Sequence, residues 1–197
     1  MIGSKGMAAD DSIGSGKKNI LITGLPGVGK TTLIKKLTEA LKDFYPVGFY
    51  TEEIREGSKR KGFELISLEG RRGLLSHIDT QSPHRVGRYS VEVKGFEDFL
   101  EVIPFFNPSI HLIIIDEIGK MECFSEKFKK LLGKILDSEK SVIATITLMG
   151  SGLIAEIKGR KDVKIFEVTK KNRDIVLCEI LNWMEQSNVK FQSSEFK

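Results

Sequence analysis

The chain has 197 residues, of which 40% are hydrophobic and 29% charged, as in an ordinary globular protein with one domain and a sizeable core. Its 31 basic and 27 acidic residues leave a formal charge of +4, which suits an anionic substrate but is too even to argue for nucleic acid. Two cysteines, Cys123 and Cys178, are too few for a disulfide framework and read as free thiols in a reducing compartment.

No apolar run reaches transmembrane length, and Met1 to Gly16 lacks the apolar core of a signal peptide, so a cytoplasmic location with no membrane partner is expected. Residues 1–16 are rich in Gly, Ser and Asp without periodicity and are expected to be a disordered leader. The folded domain is expected over residues 17–186, with 187–197 a polar tail that frays.

The domain opens with Asn19 to Leu33, NILITGLPGVGKTTL. A short apolar strand (Ile20, Leu21, Ile22) enters Gly24-Leu25-Pro26-Gly27-Val28-Gly29-Lys30-Thr31, which matches G-x-x-x-x-G-K-[ST]. Glycines let a backbone wrap closely round crowded phosphates, and the N–H groups of the loop and the following helix N-terminus point at the anion. Lys30 is placed to reach the β- and γ-phosphates and Thr31 to put its hydroxyl on Mg²⁺, while Thr32 belongs to the helix start. Leu33, Ile34, Leu37, Ala40 and Leu41 then fall at helical spacing, with Lys35, Lys36 and Glu39 on the solvated face.

Pro46 to Tyr50 predicts strand two. Thr51 to Gly57 and Phe63 to Leu68 are extended runs separated by Gly57-Ser58, which predicts an antiparallel hairpin inserted after that strand. Val86 to Val93 reads as another extended segment. The insertion is dense in cations (Arg55, Lys59, Arg60, Lys61, Arg71, Arg72, Arg85, Arg88), most of them solvated, with one or two candidates for the phosphates or the transition state. Phe96, Phe99, Leu100 and Ile103 mark a short helix with Glu97 and Asp98 in its first turn, ended by Pro104 and Pro108.

His111 to Ile115 predicts a buried parallel strand that delivers Asp116-Glu117 to the sheet edge. Ser125 is a candidate cap for a helix with stripe Phe128, Leu131, Leu132, Ile135. Ser141 to Thr147 is the next strand; Leu153, Ile154 and Ile157 form a short helix closed by Gly159; Val163 to Val168 is the last strand. Asn172 is placed to cap the final helix, with Ile175, Val176, Ile180 and Trp183 inward. Strands alternating with helices imply an α/β domain: a mostly parallel sheet covered on both faces, with ligands at the carboxyl ends of the strands. That edge collects the glycine loop, Thr51-Glu52, Asp116-Glu117 and Thr145 or Thr147.

Asp116 ends an aliphatic strand after the loop, the Walker B position for a Mg²⁺ ligand. Glu117 beside it is suited to orient or deprotonate a water in line with the γ-phosphorus, which tips the balance towards hydrolysis. Thr145 or Thr147 can read the γ-phosphate or serve only as strand formers. Asn172 and Arg173 can contact base or ribose or simply cap the helix. His77, His84 and His111 have no metal-ligand spacing.

Together, GLPGVGKTTL, GFYTEEIREGSKRKGFEL, RVGRYSVEV, IIIDEIGKME and FEVTKKNRD, in this order, resemble the THEP-type nucleoside-triphosphatase family over roughly Lys18 to Glu185. The resemblance implies a P-loop NTPase fold and Mg²⁺-dependent hydrolysis of ATP, GTP, CTP and UTP to diphosphate and phosphate with loose base selectivity. By matching motif positions it carries over Gly29, Lys30, Thr31, Asp116 and Glu117. Glu52, Arg55, Lys120 and Arg173 sit in family-like segments. Two other readings stay open: a nucleotide or small-molecule kinase, and a partner-activated nucleotide-binding switch with an RNA link motivated by the basic insertion.

Overall fold

The computed structural model describes residues 16–187, so the expected leader and tail lie outside the described residues except for Gly16 and Ser187. The strands are β1 (Asn19–Thr23), β2 (Val47–Glu56), β3 (Lys59–Ser67), β4 (Arg72–His77), β5 (Arg85–Val86), β6 (Tyr89–Val91), β7 (Leu112–Ile118), β8 (Ser141–Ile146) and β9 (Val163–Glu167). The helices are α1 (Lys30–Ala40), α2 (Val93–Glu101), α3 (Glu126–Asp137), α4 (Leu153–Lys158) and α5 (Val176–Gln186). The strands form a single mixed sheet in the order β5-β6-β4-β3-β2-β7-β8-β1-β9. From β2 through β7, β8 and β1 to β9 every pairing is parallel; from β2 outwards through β3, β4, β6 and β5 every pairing is antiparallel.

The uninterrupted apolar runs of β1 and β7 follow from burial on both faces. Leu21, Ile113 and Ile115 face a core built with Phe96, Phe99 and Leu100 of α2 and Phe128, Leu132 and Ile135 of α3. Their neighbours Ile20, Ile22, Leu112 and Ile114 face Leu33, Ile34 and Leu37 of α1 and Val176 and Ile180 of α5 on the other side. Period-two alternation in a strand thus serves two helical layers at once. Phe49 of β2 meets Phe96 and Phe99 edge-on, at centroid distances of 6.0 and 5.9 Å, pinning α2 where the two halves of the sheet join.

Several local expectations need correction. The hairpin is not a separate insertion: β2 itself is its first arm, parallel to β7 over Val47–Phe49 and antiparallel to β3 from Phe49 onwards, well past the end of its pairing with β7. A third antiparallel strand, β4, was not expected; its Arg-Gly-Leu-Leu sequence lacks clean alternation. Val86 to Val93 is not one extended run, because Gly87-Arg88 turns the chain between β5 and β6 and α2 begins at Val93. Glu97 and Asp98 therefore lie beyond the first turn of α2. Ala40 and Ile175 are exposed; Trp183 does pack inward, half-buried against Phe166, and Met184 joins it as the fully buried contact late in α5. Ser125 does cap α3, accepting from the Phe128 amide at 2.9 Å.

Candidate functional site

The carboxyl ends of β1, β2, β7 and β8 surround a cleft of about 790 Å³. Its floor is the glycine loop. Gly24 has φ 151°, and a Cβ there would lie 2.4 Å from the Val168 carbonyl oxygen, so only glycine lets β1 turn this close to the chain leaving β9. Gly29 has φ 107°, and no protein atom lies within 4 Å of where its Cβ would be, leaving open space above the start of α1. Lys30 curls over the loop, its ammonium donating to the carbonyls of Gly24 at 3.0 Å and Leu25 at 3.2 Å. Leu25, Pro26, Gly27, Thr31 and Thr32 also border the cleft, whereas Val28 turns its side chain into the core beneath α1.

Opposite the loop, β7 carries a register shift between Ile115 and Ile118 in its pairing with β8. Asp116 and Glu117 sit in that irregularity. Asp116 is 1% exposed, and both carboxylate oxygens are held: Oδ1 accepts from the Thr145 hydroxyl at 2.8 Å and Oδ2 from the Thr51 hydroxyl at 3.2 Å. The same Thr145 oxygen accepts from the Glu117 amide at 2.9 Å. One buried hydroxyl thus fixes the acid and the bulge together. Thr145 is spent on this task, leaving Thr147, which borders the cleft, as the threonine available to a ligand.

Glu117 has φ 84°, a left-handed backbone that a non-glycine residue adopts at a cost of about 1–3 kcal/mol. The bulge redirects its side chain out of the strand's alternation and into the cleft. Although the residue is exposed at the cleft, partial burial of its carboxyl and the neighbouring Asp116 push it above the usual range, with Lys30 across the cleft partly opposing. Behind it lies Glu122, fully buried and accepting from the Gly119 amide at 3.1 Å. Burial raises the Glu122 carboxyl well above the ordinary range, and Glu117 adds to that. A Cβ on Gly119 would lie 3.0 Å from an oxygen of each carboxyl, so this glycine leaves the space the two acids share. Glu122 is not among the expected site residues; its place in IGKME, close after a strand-end acid, is the signal the sequence carries.

The third wall is the projecting part of β2 and β3. Glu52 borders the cleft and pairs with Lys35 of α1, tying the hairpin to the helix. Arg60 borders it too, stacked on Phe63 at 4.9 Å and held by Tyr89 at 2.8 Å and Glu53 at 2.7 Å. Among the insertion's cations it is Arg60, not Arg55, that reaches the cleft: Arg55 bonds Glu53 and the Ser58 carbonyl near the hairpin tip. Lys120, Asn172 and Arg173 do not border it either. Asn172 bonds Thr169 and the Glu167 carbonyl instead of capping α5, whose first residue has no side-chain cap.

The donor set suits a hard cation. Thr31 and Asp116 are oxygen donors, and the buried Asp116 carboxylate is met by hydroxyls and not by any lysine or arginine among the described residues. Mg²⁺ binds this way, through one or two protein oxygens with the rest from phosphate and water.

A family model described as NTPase matches residues 19–181. Nucleoside-triphosphatase THEP1 of Thermotoga maritima is 52% identical over 164 residues, covering 83% of this chain and 93% of that protein. The chain belongs to the THEP-type nucleoside-triphosphatase family. Within it, the human cancer-related nucleoside-triphosphatase is 40% identical over 188 residues, covering 86% of this chain and 98% of that one. The crystal structure of THEP1 from Aquifex aeolicus superposes with TM-score 0.73 at 39% identity, over 85% of this chain and 99% of that one. The family's α/β P-loop architecture, with its mixed sheet, is therefore the one described above.

Proposed function

We propose that this THEP-type chain is a Mg²⁺-dependent hydrolase that converts ATP, GTP, CTP and UTP to the diphosphate and phosphate with loose base selectivity. Family membership supports nucleoside-triphosphate hydrolysis in general; the observation that carries the finer reading is Glu117, turned by its strained bulge into the cleft beside Asp116 and across from Lys30. The loop amides and Lys30 bind the phosphates. Thr31 and Asp116 hold Mg²⁺, which when bound supplies charge that neutralises the phosphate oxygens. Glu117 orients a water and takes its proton as the oxygen approaches the γ-phosphorus. The raised affinity of Glu117 for protons suits a base, and Arg60 offers a cation at the far wall to offset charge that develops in the transition state.

Loose selectivity is supported by the cleft mouth. Leu25 and Met149, 62% and 80% exposed where they border the cleft, offer a base apolar contact and have no side-chain donor or acceptor of their own to read its edge. The test is phosphate release from each of the four triphosphates, with and without Mg²⁺ and with no acceptor present. Release from all four that stops on chelation is expected; release that needs an added acceptor would replace the reading with a kinase, and release indifferent to chelation would remove the metal.

A further inference from the structure

Glu117 is the partition between two spaces. On its far side a recess of about 220 Å³ opens, bordered by Phe63, Val86 and Lys120 as well as Glu117 itself. The recess shares Val86, Gly119, Lys120 and Thr147 with a neighbouring chamber of about 640 Å³ between the β5–β6 turn and the start of α4. Thr147 borders all three spaces, so the chamber and the phosphate cleft lie on either side of one side chain.

The chamber is built unlike a route for water or free phosphate. Val86, Phe124 and Ile154 give it apolar walls, and its volume is that of an organic ligand site. Its rim carries Arg85, Lys120 and Lys129. Lys129 pairs with Glu126, but Arg85 donates only to the Arg88 carbonyl and Lys120 makes no ion pair among the described residues. Positive charges without carboxylate partners over an apolar floor call for a dianion on a flat, apolar body. Glu117 and Glu122 border the recess and not the chamber, while Lys120 lines both, so the anion belongs between Lys120 and Arg85 on the chamber side, with the body over Val86, Phe124 and Ile154.

We propose that this chamber is a second ligand site, for a phosphomonoester of mononucleotide size, occupied together with the triphosphate. The proposal rests on the triphosphate filling the first cleft, and the test separates the two. Calorimetry on the full chain first establishes binding of one equivalent of a non-hydrolysable ATP analogue with Mg²⁺. The saturated protein is then titrated with the nucleoside 5′-monophosphates and with orthophosphate.

At least one monophosphate should bind with unit stoichiometry without displacing the analogue. Orthophosphate, which leaves the apolar floor uncovered, should bind about tenfold more weakly or worse. Arg85→Glu and Lys120→Glu should each weaken the monophosphate by about tenfold or more while analogue affinity stays unchanged. No monophosphate heat, displacement of the analogue, or wild-type binding by both variants would overturn the second site. Failure of the first titration would instead strike the nucleotide cleft.

Discussion

The two halves of the sheet do different work by different physics. In the parallel half the active edge is built from buried strands and a hydroxyl-to-carboxylate bond, Thr145 of β8 on Asp116 of β7, completed by buried Thr51 where β2 leaves β7. Water cannot substitute for those bonds, so the geometry is stiff. The antiparallel half presents its cleft wall through the partly exposed ion pair of Arg60 with Glu53, and Arg72 pairs with Glu64 outside the cleft; water competes with such pairs readily. The comparison teaches that the residues fixing the reacting groups lie in the dry half, while the charged wall that tunes the cleft is free to adjust.

Substitutions in the two halves should therefore differ in size. Glu117→Gln should lower turnover by about a hundredfold or more with the affinity for a Mg²⁺-nucleotide analogue retained, read by phosphate release and by calorimetry. Thr145→Val removes one donor to Asp116 and the acceptor of the Glu117 amide; chemical denaturation should show a loss of about 1–3 kcal/mol, with a raised Mg²⁺ requirement.

Across the cleft, Arg60→Ala should lower kcat by about tenfold with little change in the denaturation midpoint, whereas Arg55→Ala should leave kcat unchanged; equal effects would erase the distinction between these arginines. Glu122→Gln should reveal itself through pH. Burial raises the folded-state value of Glu122. The folded chain thus binds that proton more tightly than the unfolded chain, and the resulting stability is lost as pH rises through the raised value. The glutamine variant has no proton to lose there, so its stability relative to wild type should improve with rising pH. The smallest effect should be Arg72→Ala, within about 0.5 kcal/mol of wild type.

The layered half of the fold was legible because its signals are local. Four aliphatic residues before Asp116 and the glycine spacing before Lys30 specify strand, loop and edge without reference to the rest of the chain. The Thr145 contact was not legible, since Thr145 alternates normally in a strand and only the register of β8 against β7 brings it to Asp116. Arg60 was one cation among eight in the insertion until the aromatic rings of Phe63 and Tyr89 fixed its direction. Asn172 looked like a helix cap because its type and position were right, but the loop after β9 draws its side chain back to Thr169. Glu122 depended on a turn folding under the bulge, which residue type alone does not encode.

The central claim is that the β7 bulge aims Glu117 at the water that attacks a triphosphate held by the glycine loop. A crystal structure of the full chain with Mg²⁺, a nucleoside diphosphate and aluminium fluoride as a transition-state mimic tests it directly. The account predicts a Glu117 carboxylate oxygen within about 2.6–3.2 Å of the axial water, with Asp116 still held by Thr51 and Thr145. Glu117 turned away from that water, with another group bonded to it, would contradict the account.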